Sequence, residues 1–102
     1  MVLLELSVVP LGAGESVSHD VAACVELIEQ SGLDYELHAM GTIVEGELGP
    51  VIGVMQACVE LLAERHPRVT CSAKLDYRRG ASGRLRGKVE SVEAKLRTPK
   101  KG

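Results

Sequence analysis

Two kinds of hydrophobic periodicity follow one another along the chain in an order that few folds can accommodate. The segments with strand-like alternation of apolar and polar residues are 2–9, 34–40 and 69–77, and the short segment 42–45 follows the second of them across a glycine. Apolar residues recur at helical spacing from Val17 to Ile28 and from Val51 to Leu62. The order β-α-β-β-α-β predicts a ferredoxin-like α+β sandwich with one antiparallel sheet.

The end of the chain carries one further element. Residues 78–87 are rich in glycine and arginine and are expected to form a loop. Residues 88–96 carry three apolar side chains at helical spacing, which predicts an extra C-terminal helix. We therefore expect a single domain over residues 1–97, followed by a frayed tail over 98–102.

The alternation within the strands predicts which side chains face the helices. Those expected to point toward the helices are Val2, Leu4, Leu6 and Val8 in the first strand and Val69, Cys71, Ala73, Leu75 and Tyr77 in the last. The other face mixes apolar and polar side chains: Leu3, Glu5, Ser7, Val9, His38, Met40, Thr70, Ser72 and Lys74. This face is too mixed for a core and too apolar for a solvated surface, which favours an oligomer that covers it.

Charge is strongly segregated along the sequence. Residues 1–64 contain eleven acidic residues and no Lys or Arg, whereas residues 65–102 contain all twelve basic residues. A pocket built from the first part would therefore lie in a negative field that favours cations.

Only 2% of the residues are aromatic, and there is no Phe or Trp. The lack of stacking platforms argues against single-stranded nucleic acid as a partner.

The three cysteines and three histidines do not form a recognisable metal or redox motif. No C-x-x-C pair is present, and the histidines are scattered. An odd number of cysteines without a secretory signal fits a reducing, cytoplasmic location, where each is expected to be a small buried hydrophobe. The apolar run over residues 1–11 is too short to span a bilayer and contains Glu5, so no membrane association is expected.

Several segments resemble a known family. They are Val8-Val9-Pro10-Leu11-Gly12, Ser16-Val17-Ser18, the hairpin over residues 35–46 with its Met-Gly-Thr-Ile-Val-Glu-Gly sequence, and residues 88–93. In this order they resemble the small thiamine-binding protein family, the YkoF-like group. The resemblance implies a ferredoxin-like fold, a homotetramer built as a dimer of dimers, and binding of thiamine or its hydroxymethylpyrimidine moiety without catalysis or a cofactor. This chain has Asp20 where the family often carries an aromatic residue.

A ligand pocket can be proposed on this basis. An aminopyrimidine presents ring-nitrogen acceptors and an amine donor, which a hydroxyl beside a carboxylate can meet, and a carboxylate also favours a thiazolium cation. The hypothesis is that one pocket is lined by Ser7, Ser16, Met40, Thr42 and Glu45. The first and third strands are neighbours in a ferredoxin-like sheet, which would bring most of these residues together.

Each of these residues also has an ordinary structural interpretation. Thr42 and Glu45 are typical of an exposed hairpin strand, and Ser16 or Ser18 can cap the first helix. Ser7 can be an interface hydroxyl, and Met40 can fill a core or an interface. His38 is the only histidine near the hairpin, and without a legible nucleophile it is expected to be structural.

Two other functions remain open from the residues alone. One is an enzyme that acts on a small phosphate ester held by the basic loop, whose members are Arg78, Arg79, Arg84, Arg86 and Lys88. The other is an oligomeric structural or regulatory module. No Walker loop, G-x-G-x-x-G or G-x-S-x-G motif supports the first of these, so we expect binding without catalysis.

Overall fold

A computed structural model describes residues 1–12, 17–80 and 84–97. Its elements are β1 (Val2–Pro10), α1 (Ser18–Gln30), β2 (Asp34–His38), β3 (Gly41–Gly46), α2 (Leu48–Ala63), β4 (Val69–Tyr77) and α3 (Arg84–Arg97). The four strands form one sheet in the order β2-β3-β1-β4, and every neighbouring pair is antiparallel. The predicted ferredoxin-like α+β fold with an extra C-terminal helix is confirmed.

The core lies between one face of the sheet and the pair α1 and α2. The four even-numbered apolar residues of β1, from Val2 to Val8, are all buried there, as the alternation predicts. They meet Val44 of β3, Cys24 and Ile28 of α1, and four buried residues of α2, namely Val51, Val54, Cys58 and Leu62. The described buried core residues include no aromatic ring, although Tyr35 packs against them, so the core depends on close packing of small and branched side chains.

β4 has the predicted orientation but not the predicted burial. Its register pairs Leu75 with Leu4 and Tyr77 with Val2, so these side chains do face the helix side. Nevertheless Leu75 is 43% exposed and Tyr77 60% exposed, and Cys71 is exposed as well. β4 is an edge strand, and two helices do not extend far enough across four strands to cover it.

α3 begins earlier than predicted and lies on the other face of the sheet. It starts at Arg84, within the segment expected to be a loop. Lys88 Nζ lies 2.6 Å from Asp76 Oδ2, and Asp76 belongs to the face opposite α1 and α2 because it pairs with Leu3. Leu3, Glu45 and Leu85 are buried at this end. The protomer therefore covers part of the face that was expected to be covered by an oligomer alone.

The start of α1 differs from the capping prediction. Val17 occupies the N-cap position and makes no side-chain capping bond, and Ser18 is the first helical residue. Ser16 lies outside the described residues. Gly32, with a φ of +78°, follows the end of the helix. No described helix is both long enough and apolar enough to cross a membrane.

Candidate functional site

β1 continues past the point where the β2–β3 hairpin stops. Its pairing with β3 ends at Leu6 opposite Thr42, whereas its pairing with β4 continues to Pro10 opposite Val69. From Ser7 onward, the edge of β1 that faces β3 therefore has no strand partner in the part of the chain that the structure describes. The hairpin turns at Ala39 and Met40, just before it would reach this stretch.

A cavity of about 330 Å³ occupies the space beside this bare edge, between β1, the hairpin and α1. Ligand sites in proteins typically have volumes of about 300–1,000 Å³. The lining is mostly apolar: Leu6, Val8, Val9, Val21, Cys24, Val25, Ile28, Leu37, Ala39 and Met40, with Ser7, His38, Gly41 and Thr42. All of these residues belong to the part of the sequence that contains no Lys or Arg.

The backbone of Val8 supplies a donor and an acceptor to this cavity. The Leu11 N–H donates to the Arg68 carbonyl at 2.9 Å, so Leu11 faces β4. Alternate residues of an antiparallel strand face the same neighbour, and Val8 must therefore face the opposite side. Because the β1–β3 pairing ends at Leu6, the N–H and C=O of Val8 have no strand partner on this side within residues 1–12, 17–80 and 84–97 and can meet a ligand.

Gly41 allows the hairpin to approach β1 closely at the end of the cavity. It has a φ of +153°, and a Cβ at this position would lie 2.7 Å from the backbone oxygen of Leu6. Only a residue without a side chain fits between the two strands here. The glycine thus fixes the distance between the hairpin and the bare edge.

His38 holds the turn that forms the outer wall. Its Nδ1 accepts a hydrogen bond from the Met40 N–H at 3.3 Å, so the proton of the neutral ring is on Nε2. In the described part of the chain Nε2 is buried and has no hydrogen-bond partner, and Glu5 Oε2 lies 3.7 Å away. The structural interpretation of His38 is supported by its bond to Met40.

An acidic groove adjoins the cavity along the outer side of α1. It has a volume of about 610 Å³ and shares Val21, Val25 and Leu37 with the cavity, while Glu26 and Glu29 lie along it. The Tyr35 hydroxyl donates to Glu29 Oε2 at 3.3 Å. Desolvation and this neighbouring carboxylate raise the pKa of Tyr35 above its ordinary value. Among the described residues no carboxylate lines the cavity itself; Glu26 and Glu29 lie along the adjoining groove, and Glu5 lies 3.7 Å from the lining residue His38.

The structure brings together three of the five predicted site residues. Ser7, Met40 and Thr42 line the cavity. Glu45 does not line the cavity, because it pairs with Leu3, four residues before Ser7 along β1, and is buried on the side of the sheet opposite Thr42. Ser16 lies outside the described residues. The four described residues therefore do not share one cavity.

Asp20 does not belong to the cavity wall. Its buried carboxylate lies 3.1 Å from His66 Nε2 and 3.5 Å from an Arg65 guanidinium nitrogen. It joins the beginning of α1 to the residues that follow α2. The family that this sequence resembles often carries an aromatic residue at the position of Asp20. In this chain, Asp20 has a structural role.

Several residues of the cavity were missed by sequence reasoning. The bare edge at Val8 depends on where β1 and β3 stop pairing, and the local sequence of either strand does not indicate this position. Val21 and Val25 were recognised only as part of a helical stripe, and Glu26 and Glu29 only as part of the acidic segment. The described residues contain no cluster of three metal-ligating side chains. The arrangement suits a ligand that has an apolar ring with a hydrogen-bonding edge and that carries a positive charge near this ring.

Comparison with known proteins identifies relatives over nearly the whole chain. A family model described as Thiamine-binding protein matches residues 4–93. A UPF0045 protein of Mycobacterium bovis is 39% identical over 99 residues, which cover 96% of this chain and 97% of that protein.

Solved structures share the fold. The crystal structure of a Methanocaldococcus jannaschii protein superposes with a TM-score of 0.84 at 30% identity, over 90% of this chain and 95% of that one. A Thermotoga maritima protein provisionally assigned to thiamine biosynthesis or salvage gives a TM-score of 0.79 at 23% identity, over 89% of this chain and 97% of that one. At that identity the similarity shows the fold alone.

Proposed function

The chain belongs to the thiamine-binding protein family, and we propose that it binds thiamine or its hydroxymethylpyrimidine moiety in the cavity under α1 without transforming it. The observation that carries the proposal is the bare edge of β1. It presents a backbone donor and acceptor inside an apolar cavity of about 330 Å³, and these groups suit the edge of an aminopyrimidine.

The pyrimidine ring would occupy the place where β3 stops. A ring nitrogen can accept a hydrogen bond from the Val8 N–H while the exocyclic amine donates one to the Val8 carbonyl. The ligand would thus pair with β1 in the place that a further residue of β3 would occupy. Thr42 and Ser7 also line this cavity. Leu6, Val21 and Ile28 supply apolar contact with the ring faces.

The thiazolium ring would extend into the acidic groove. Glu26 and Glu29 lie along that groove, and the groove shares three residues with the cavity. A fixed positive charge is favoured there, because no Lys or Arg occurs anywhere in residues 1–64. Hydroxymethylpyrimidine lacks the thiazolium ring and would use the cavity alone.

Absence of turnover is part of the proposal. The cavity lining is dominated by apolar side chains, with two hydroxyls, one imidazole and the Cys24 thiol, a composition typical of recognition by shape and a few hydrogen bonds. His38 contributes its Nδ1 to the Met40 N–H, which supports a structural use of the imidazole. We propose a carrier or sequestering role.

Self-association and a cytoplasmic location also belong to the proposal. A homotetramer is supported by the exposed apolar side chains of β4 and α3, which are Leu75, Tyr77, Val89, Val92 and Leu96. It is also supported by the segregation of acidic and basic residues, because the acidic residues 1–64 of one copy attract the basic residues 65–102 of another. The free cysteines fit a reducing compartment.

Isothermal titration with thiamine tests the proposal. Binding is expected for the wild-type protein, and Thr42→Val should weaken it about three- to tenfold because one hydroxyl contact is lost. The matched control is Thr70→Val, which makes the same change on exposed β4; Thr70 does not line the cavity, and its hydroxyl donates to the Val9 carbonyl at 3.3 Å. Thiamine should be recovered unchanged. Absence of heat with the wild type, or release of thiamine fragments, would contradict the proposal.

A further inference from the structure

Two buried cysteines face each other across the contact between α1 and α2. Cys24 Sγ lies 4.0 Å from the carbonyl oxygen of Cys58, and Cys58 Sγ lies 3.8 Å from the carbonyl oxygen of Cys24. Each sulfur therefore lies against the backbone of the other residue where α1 packs on α2. A disulfide requires two cysteines to be neighbours across such a contact, with Cα atoms about 4.4–6.8 Å apart.

The two helices are also held together next to this pair. Asp20, one helical turn before Cys24, bonds to His66 and Arg65 just after the end of α2. This contact fixes how α1 lies along α2. The two thiols therefore stay opposite each other, which is the condition for rapid reaction between them.

The cysteines differ in access to small molecules. Cys24 forms part of the cavity wall, whereas Cys58 is fully buried behind it. A hydrogen bond from Cys58 lowers the pKa of Cys24 below its ordinary value, and the same bond together with burial raises that of Cys58. The accessible thiol is thus also the one more readily converted to the reactive thiolate.

We propose that Cys24 and Cys58 form a dithiol site that a small disulfide entering the cavity oxidises to an intramolecular disulfide, linking α1 to α2. The proposal does not depend on thiamine as the ligand. It assigns the first attack to Cys24 and the second to Cys58.

The reaction is an ordinary thiol–disulfide exchange. The Cys24 thiolate attacks one sulfur of the small disulfide, a new S–S bond forms, and the other half leaves as a thiolate. Cys58 then loses its proton, attacks the Cys24 sulfur and expels the second half. Two protein thiols are oxidised, and one small disulfide is reduced to two thiols. A reducing thiol in excess reverses both steps.

The test uses the full chain carrying Cys71→Ser, because Cys71 is exposed and would react by itself. Folded protein is treated with 2-hydroxyethyl disulfide, then unfolded and alkylated. The expected product has lost two hydrogens and takes up no alkylating agent. Glutamyl endopeptidase is used for mapping, since trypsin finds no Lys or Arg before Arg65. The map should join the peptide with Cys24 to the one with Cys58, and the urea midpoint should rise after oxidation.

A second variant separates the two steps. In Cys71→Ser/Cys58→Ala protein, Cys24 should retain one half of the reagent as a mixed disulfide. If this variant does not fold, the mapping of the Cys71→Ser protein still decides the question. Two free thiols after prolonged treatment, an unresolved mixed disulfide on Cys24, or only disulfides between chains would each overturn the proposal.

Discussion

Gly41 and Val8 determine the shape of the proposed site. Gly41 lets the hairpin come within van der Waals distance of β1, and the early end of the hairpin leaves the Val8 backbone without a strand partner. Neither contribution comes from a reactive side chain. A site of this kind depends on backbone geometry, and small changes in the distance between the two strands should alter the affinity for the ligand.

Replacing Gly41 by alanine tests this dependence. Its φ of +153° and the 2.7 Å approach to the Leu6 oxygen make any Cβ unfavourable. We expect Gly41→Ala to lower the free energy of unfolding by about 1–3 kcal/mol, measured in urea, and to weaken thiamine binding.

The matched control is Gly53→Ala in the exposed interior of α2, where a Cβ meets no atom within 4 Å. This change should raise stability by about 1 kcal/mol, because alanine favours a helix over glycine. Equal stability of Gly41→Ala and wild type would show that the hairpin is not fixed against β1 as described.

The two carboxylates on α1 allow a charge-specific experiment. We expect the double variant Glu26→Gln/Glu29→Gln to bind thiamine about tenfold more weakly at low salt, a change of about 1.4 kcal/mol. The neutral hydroxymethylpyrimidine should bind with unchanged affinity. Added salt should reduce the difference, since the groove is exposed to solvent.

Glu60→Gln, on the exposed side of α2, serves as the control for this pair. Titration calorimetry with both ligands measures the effect. An equal loss of affinity for the charged and the neutral ligand would mean that Glu26 and Glu29 do not contact a thiazolium ring.

The structure separates Glu45 from Thr42, with which the sequence hypothesis grouped it, for a physical reason. Side chains of a strand alternate between faces, so Thr42 and Glu45, three positions apart, cannot point to the same side. The hypothesis based on family resemblance placed Thr42 and Glu45 in one pocket, whereas the alternation of side chains along a strand places them on opposite faces of the sheet. Ser7 and Met40 line the same cavity as Thr42 because all three lie where β1 passes the hairpin, and their role in binding a ligand stays a prediction.

At the level of elements, the positions of α1 and α2 depend on a buried ionic contact. Asp20 is buried, and it meets His66 and Arg65 at distances of 3.1 and 3.5 Å. Removing one partner from a buried charged contact leaves the others without compensation. This contact connects the cavity-lining helix to the rest of the core.

Asp20→Asn should therefore destabilise the protein by about 1–3 kcal/mol in urea titrations. Asp76→Asn is the control, since its contact with Lys88 is largely exposed and such pairs contribute about 0–1 kcal/mol. If both substitutions cost the same, the Asp20 contact does not anchor α1.

Elements were predicted well where one periodicity dominates and poorly at their ends. β1 alternates over its whole length and is buried as expected. β4 alternates equally well, yet its helix-facing side chains are exposed, because burial depends on strand order and helix width and not on the strand's own sequence. α3 starts at Arg84 because the charged residues before Lys88 are compatible with a helix as well as with a loop.

The whole protomer is more extended than a compact domain of its size. Its Cα radius of gyration is 16.0 Å, against about 13 Å for a compact domain of 100 residues. α3 projects apolar side chains, including Val92 and Leu96, into solvent. Such a surface is typical of a subunit that associates with further copies.

We accordingly expect native mass spectrometry to show four copies of the 10.9 kDa chain. Val92→Glu/Leu96→Glu should shift the protein toward smaller species because charges would be placed at the apolar positions of α3. Lys95→Gln, on the same helix, should leave the assembly unchanged. A wild-type protein that stays monomeric at micromolar concentration would rule out the tetramer.

The location of the ligand is the claim on which the proposed function depends, and an amide NMR titration with thiamine tests it most directly. We expect the largest shift changes at Val8, Gly41 and Val25, around the bare edge of β1 and the facing side of α1. Lys74 and Glu45, on the opposite face of the sheet, should change little. Changes concentrated on that opposite face, or none at saturating thiamine, would contradict binding in this cavity.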